Sequence, residues 1–173
     1  MFLLVQPFDD WVLQTLIALR TDSLTTLMSV VSFLGEWYIL LPVAAIIIFV
    51  LWHRGLILHA TGFAFAVIGT TIAVVVLKFV VARPRPPEAL RLVAESGYSF
   101  PSWHAAIAIA FWGYLAYLAA KRMQSWVGRV CIILLCISII LITDISRLYL
   151  GVHYFSDVLG GTLIGGLVLL IAL

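Results

Sequence analysis

Two histidines and an aspartate have the types and spacing that nucleophilic catalysis requires. His153 and Asp157 are four residues apart. On a helix this spacing lets the carboxylate accept the proton of one ring nitrogen, which leaves the other nitrogen nucleophilic. An acid that orients a nucleophile or base in this way is a recurring catalytic arrangement. His104 comes from another segment and could protonate a departing oxygen from the opposite side.

Basic and hydroxyl side chains accompany these histidines and predict an anion site. Eight polar residues are expected at one membrane level, at the ends of apolar segments: Lys78, Arg85, Ser102, His104, Ser146, Arg147, His153 and Asp157. Two of these groups lie at helix starts, where unpaired N–H groups and the helix dipole favour an anion. The predicted ligand is an oxyanion such as phosphate. A histidine on each side of it predicts in-line phosphoryl transfer.

The composition of the chain places this site in a membrane protein. Of the 173 residues, 64% are apolar and 10% are charged, a balance typical of polytopic membrane proteins. The apolar runs are continuous rather than alternating, which favours helices over barrel strands. The predicted fold class is therefore all-α, a polytopic transmembrane helical bundle. The net charge of +2 is too small and dispersed to indicate a nucleic-acid partner.

Five apolar segments are long enough to cross a bilayer. They lie near residues 37–53, 56–78, 103–120, 127–146 and 154–173. The loop from Arg83 to Ser102 separates the second from the third, and its prolines exclude a continuous helix. Its charged residues Arg83, Arg91, Glu88 and Glu95 could contact a substrate headgroup or form an ordinary solvated surface.

The segment before residue 37 is shorter and more polar. It predicts interfacial helices or a reduced sixth span, with Asp9 and Asp10 capping a helix that extends through Leu19. The whole chain, 1–173, is predicted to be a single membrane domain. Within it, residues 1–36 form the interfacial N-terminal helices and residues 37–173 form the catalytic bundle.

Charges in the connections predict the orientation. If successive spans cross the membrane in opposite directions, one side of the membrane carries five basic residues and no acid. These residues are His53, Arg54, Lys121, Arg122 and Arg129. This side is predicted to be cytoplasmic. The opposite side has as many basic residues, but the anion site accounts for most of them. We therefore expect a multi-pass protein of the cell (inner) membrane whose site faces the extracytoplasmic, or periplasmic, side.

Three short motifs resemble the signature of the type 2 phosphatidic acid phosphatase superfamily. They are Lys78 with Arg85-Pro86, then Pro101-Ser102-Trp103-His104, then Ser146-Arg147 with His153 and Asp157. The resemblance implies that His153 forms a phosphohistidine, that Asp157 supports it and that His104 is the general acid. It also implies phosphate binding by Lys78, Arg85, Ser102, Trp103 and Arg147, without a metal or other cofactor. Trp103 stands where the family usually has glycine.

The resemblance implies a lipid phosphate substrate, either a phosphomonoester or a pyrophosphate. Small bacterial members act on lipid A 1-phosphate, phosphatidylglycerophosphate or undecaprenyl pyrophosphate. A lipid phosphotransferase of the same architecture is the first alternative. A transporter or proton relay is the second, but it would require charged residues near the bilayer midplane. The sequence gives no indication of the oligomeric state.

Several residues also have simpler interpretations. Taken alone, Lys78 or Arg85 could extend to the lipid headgroups, and Ser102 could be only a helix N-cap. Asp144 could have a structural role, paired with Arg147 or with another cation, or it could take part in catalysis. Gly161 and Gly165 form a GxxxG pair, which predicts close helix packing inside the bundle.

Overall fold

The computed structural model describes residues 2–173, and this part of the chain is helical without strands. Its seven α-helices are α1 Gln6–Ala18, α2 Asp22–Leu34, α3 Trp37–His53, α4 Ile57–Val81, α5 Trp103–Arg122, α6 Trp126–Tyr149 and α7 Phe155–Ala172. Short 3₁₀ turns occur at Phe2–Leu4 and Glu88–Leu90. The all-α fold class is confirmed.

Helices α4 to α7 are each long and apolar enough to cross a membrane. Helix α3 has 17 residues, and it reaches the required length only together with α2, from which it is bent by 45°. By length and composition, residues 2–173 therefore contain four candidate spans, or five if the bent pair is one span. The bundle of membrane-spanning helices predicted from the apolar runs is confirmed.

The N-terminal helix differs from the prediction. Helix α1 begins at Gln6, and no side chain caps its first turn. Asp9 lies inside that turn and is 1% exposed, so the prediction that Asp9 caps the helix is wrong. Its carboxylate instead turns into the protein, where it accepts hydrogen bonds from the backbone N–H of Ser156 and from Arg83.

Helix α5 is central, because it packs against α4, α6 and α7. Alanines form much of its buried surface, and small residues let helices approach closely in a membrane. On α7, a Cβ atom at Gly161 would overlap the carbonyl oxygen of Ser102, and one at Gly165 would overlap that of Ala106. The GxxxG pair therefore packs inside the bundle, as predicted, and holds the start of α5 against α7.

Adjacent glycines of α7 offer a matched test of this packing. We expect Gly165→Ala to lower the free energy of unfolding by about 1–3 kcal/mol, because the added methyl group overlaps the α5 backbone. Gly166→Ala should be neutral or stabilising, since its Cβ would lie 3.5 Å from the nearest side-chain atom of Ile109. Thermal unfolding of both variants in detergent measures the difference. Equal melting temperatures would contradict this account of the helix contact.

Candidate active site

His153 lies in the turn that joins α6 to α7. Because α7 begins at Phe155, His153 precedes the helix, and the prediction that it shares a helix with Asp157 is wrong in this detail. The pair is still formed, since Nδ1 of His153 is 3.6 Å from Oδ2 of Asp157. The turn, rather than helical spacing, therefore brings the imidazole to the carboxylate.

Asp157 is held in place by its own helix start and by the long loop. Its Oδ2 accepts the backbone N–H of Tyr154 at 2.8 Å and the hydroxyl of Ser99. The same Ser99 hydroxyl oxygen is 3.4 Å from Nδ1 of His153. Ser99 thus bridges the acid and the ring, and the sequence motifs gave no signal for it.

The other ring nitrogen of His153 faces an arginine. Nη1 of Arg85 lies 3.2 Å from Nε2 of His153. An arginine can only donate, so Nε2 accepts this bond with its lone pair and the ring proton is on Nδ1. Burial lowers the pKa of His153 well below its usual range, although the hydrogen bond to Asp157 acts in the opposite direction. The lowered pKa favours the neutral ring, in which Nε2 carries a lone pair.

Two arginines of the predicted phosphate site converge on one carboxylate. Arg85 Nη2 is 3.3 Å from Oε2 of Glu95, and Arg147 Nη2 donates to Oε1 of the same residue. Arg147 is 1% exposed and also donates to the hydroxyl of Ser32. A carboxylate shared by two guanidinium groups marks a point of strong affinity for anions.

His104 lies on the other side of Arg147. It is 5% exposed, and its Nε2 is 3.4 Å from Oε1 of Glu36. The same oxygen is 4.0 Å from Nη1 of Arg147. Through Glu36, Arg147 and Glu95, contacts extend without a break from His104 to Arg85. The two histidines therefore belong to one connected polar cluster.

Three further predicted residues border this cluster without a side-chain bond to either histidine. Lys78 Nζ donates to the carbonyl of Tyr98 at 2.5 Å. The Ser102 hydroxyl caps α5 by accepting the N–H of Ala105 at 3.4 Å, and the Ser102 N–H donates to the carbonyl of Asp157 at 2.9 Å. Trp103 begins α5 with an ordinary helical backbone. A side chain in place of the family's glycine is therefore accommodated.

Arg83 has a role that the sequence did not predict. It is 4% exposed, with Nη1 at 2.6 Å from Oδ1 of Asp157 and Nη2 at 2.7 Å from Oδ2 of Asp9. Its guanidinium also lies over the rings of Phe2 and Tyr154. Both expectations for Arg83, a headgroup contact and a solvated surface, are wrong. It forms a buried link from α1 to the carboxylate beside His153.

Asp144 does not pair with a cation among the described residues. Its Oδ2 accepts the hydroxyl of Thr162 at 3.1 Å, which joins α6 to α7 within the bundle. The predicted ion pair with Arg147 is wrong, because that guanidinium faces Glu95 and Ser32.

Comparisons with known proteins identify the family of this chain. A family model described as the PAP2 superfamily matches residues 59–173. Phosphatidylglycerophosphatase B of Bacillus subtilis is 32% identical over 167 residues, which cover 93% of this chain and 79% of that protein. The crystal structure of a transmembrane PAP2 type phosphatidylglycerolphosphate phosphatase from Bacillus subtilis has a TM-score of 0.88 and 29% identity, over 98% of this chain and 85% of that one.

A second solved structure, Aquifex aeolicus LpxE, shares the fold. It has a TM-score of 0.72 and 24% identity, and the match covers 92% of this chain and 91% of that one. The helical bundle, the three motifs and these matches confirm the resemblance seen in the sequence. The chain therefore belongs to the PAP2 superfamily and is a multi-pass membrane phosphatase of the lipid phosphatase kind.

Proposed function

We propose that this chain hydrolyses a lipid phosphomonoester or pyrophosphate through a phosphohistidine formed on His153. One observation carries the proposal: Nε2 of His153 accepts a hydrogen bond from Arg85 while Nδ1 faces Ser99 and Asp157. The nucleophilic lone pair thus points at a cation that would bind the phosphate. The resemblance to the family supports the same assignment.

The proposed reaction has two displacements at phosphorus. In the first, Nε2 of His153 forms the P–N bond as the P–O bond to the lipid breaks, and His104 gives its proton to the departing oxygen. Asp157 stabilises the positive charge that develops on the His153 ring. In the second, water attacks the phosphorus and gives a proton to His104. The P–N bond then breaks, which releases inorganic phosphate and restores both histidines.

Charge on the phosphate is neutralised by the protein in this proposal. Arg85 and Arg147 already share a carboxylate, so both guanidinium groups can contact one phosphate in its place. Lys78 would add a third positive charge, and Ser102 and the Trp103 amide would bind from the start of α5. Metal independence is part of the proposal, and it follows from the resemblance to the family.

The relatives suggest the first substrate to test. The names of the Bacillus subtilis protein and of the similar crystal structure refer to phosphatidylglycerophosphate, and we propose this lipid ahead of lipid A 1-phosphate and undecaprenyl pyrophosphate. The tail would remain in the outer leaflet, with the site on the extracytoplasmic side of the cell membrane. Residues 1–173 would act as one phosphatase domain, to which α1 contributes through Asp9.

An assay of the purified protein in detergent micelles tests the proposal. The three lipids are supplied separately, with and without a chelator, and free phosphate is measured. We expect release from at least one lipid at a rate that the chelator does not change. Transfer of the phosphate group to an added lipid alcohol, without free phosphate, would instead indicate a phosphotransferase. Loss of activity with the chelator would contradict metal independence.

A further inference from the structure

We propose that Glu36 is a positioning residue for His104, so that each catalytic histidine has its own carboxylate. Asp157 would serve His153, and Glu36 would serve the general acid. This inference rests on the proposed phosphohistidine mechanism and adds to it a residue outside the three sequence motifs.

Glu36 lies in the break between α2 and α3, at the N-cap position of α3. Its side chain makes no capping hydrogen bond, so helix capping does not explain the residue. Its Oε1 is 3.4 Å from Nε2 of His104 and 4.0 Å from Nη1 of Arg147. The neighbouring His104 ring, and then Arg147, hold the pKa of Glu36 below its usual range, although burial acts in the opposite direction. Glu36 is therefore an ionised carboxylate directed at the ring.

The backbone beside Glu36 is shaped to the same ring. A Cβ atom at Gly35 would lie 3.0 Å from Cδ2 of His104 and 3.3 Å from the carbonyl oxygen of Ser32. A side chain at this position would require the ring or the end of α2 to move by a few tenths of an ångström. The bend between α2 and α3 therefore brings both the glycine and the acid to His104.

His104 needs such a partner to act as an acid. Its Nε2 is buried and has no hydrogen bond of standard geometry, and the 3.4 Å separation from Glu36 is longer than the usual N–H···O range. A positively charged ring buried near Arg147 would be costly without a negative charge beside it. When Nε2–H is directed to Glu36, Nδ1 is left to deliver its proton to the departing oxygen. A small decrease in the distance between His104 and Glu36 on substrate binding would complete the Nε2 hydrogen bond.

Leaving-group dependence distinguishes this role from a merely structural one. Phenyl phosphate and 4-nitrophenyl phosphate are nearly equal in size, but the nitrophenolate departs readily without a proton. In Glu36→Gln we expect kcat/KM for phenyl phosphate to fall by about 100-fold, and that for the nitrophenyl ester to fall by less than about threefold. Only the step that forms the phosphohistidine contributes to kcat/KM in this scheme. Glu36→Asp should recover part of the loss for phenyl phosphate.

Glu88→Gln is the matched control, because Glu88 is an exposed acid of the neighbouring loop. This substitution should leave kcat/KM unchanged for both substrates. An equal loss for both esters in Glu36→Gln, or no loss, would overturn the inference while native activity and its dependence on His153 remain. If the native protein instead shows no phosphatase activity that depends on His153, the proposed function fails, and this role for Glu36 fails with it.

Discussion

Replacing His153 with alanine is expected to lower kcat for lipid phosphate hydrolysis by at least about 10⁴-fold, because the attacking nitrogen is lost. The bound phosphate would still meet Arg85 and Arg147, so KM should change far less than kcat. Free phosphate released from phosphatidylglycerophosphate in micelles is the measurement. The ring is 2% exposed, so the melting temperature of the variant is recorded beside its kinetics to check that it is folded.

His53→Ala is the matched control for this variant. His53 ends α3, is exposed and stacks on Phe49. Its removal should leave kcat unchanged within about twofold, as is usual for a surface substitution away from the site. Turnover by the His153 variant at a rate near that of the His53 variant would remove the assignment of the nucleophile.

Arg83→Ala is expected to have the largest effect on stability. It leaves two buried carboxylates, Asp9 and Asp157, without their cation, and breaking a buried ion pair in this way costs about 3–5 kcal/mol. For a protein of this size the melting temperature should fall by roughly 10 °C. Activity should also fall at temperatures where the variant is folded, because Asp157 loses the bond at Oδ1 that orients it toward His153.

Two further variants distinguish loss of the Arg83–Asp9 ion pair from a nonspecific loss of stability. Arg122→Ala removes an exposed arginine at the end of α5 and should not change the melting temperature. Asp9→Asn keeps the Arg83–Asp157 contact and should cost less than Arg83→Ala. Native stability and native kcat in Arg83→Ala would show that the buried network does not support the site.

The membrane-spanning helices could be predicted because each one is marked by a continuous run of apolar residues in its own segment of the sequence. Continuous apolar runs define α4 to α7, and prolines 84, 86 and 87 end the helical pattern before the long loop. The boundaries agree with the structure to within three residues at each end. The bend between α2 and α3 was not predicted, because residues 37–53 were predicted as a span of their own, separate from the interfacial segment before them.

The site residues could be predicted from their residue types and spacing in the sequence. The side chains that they contact could not be predicted in this way. Motif spacing identified His153, Arg85 and Arg147, which the structure brings into one polar cluster. Arg83 and Asp9 are 74 residues apart, and no periodic pattern relates such positions. A charge in an apolar N-terminal segment needs a partner, but the sequence does not indicate which one.

Glu36 and Ser99 were not identified as site residues, and the role of Glu95 was left open, for a related reason. All three lie in breaks or loops, where the backbone path is set by tertiary contacts. Glu95 reaches Arg147 only because the loop folds back over the bundle, and Ser99 reaches Asp157 in the same way. A loop acid near basic residues gave no indication of whether it faces solvent or the site.

Trapping the phosphoryl group on the protein tests the central claim most directly. The native protein is mixed with lipid labelled with ³²P in the phosphate, and the reaction is stopped within milliseconds in alkali, where phosphohistidine persists. The account predicts an alkali-stable, acid-labile label in the peptide that contains His153. This label should disappear when unlabelled substrate is added before the quench. Rapid phosphate release with no labelled protein at any time, or a label on another residue, would contradict it.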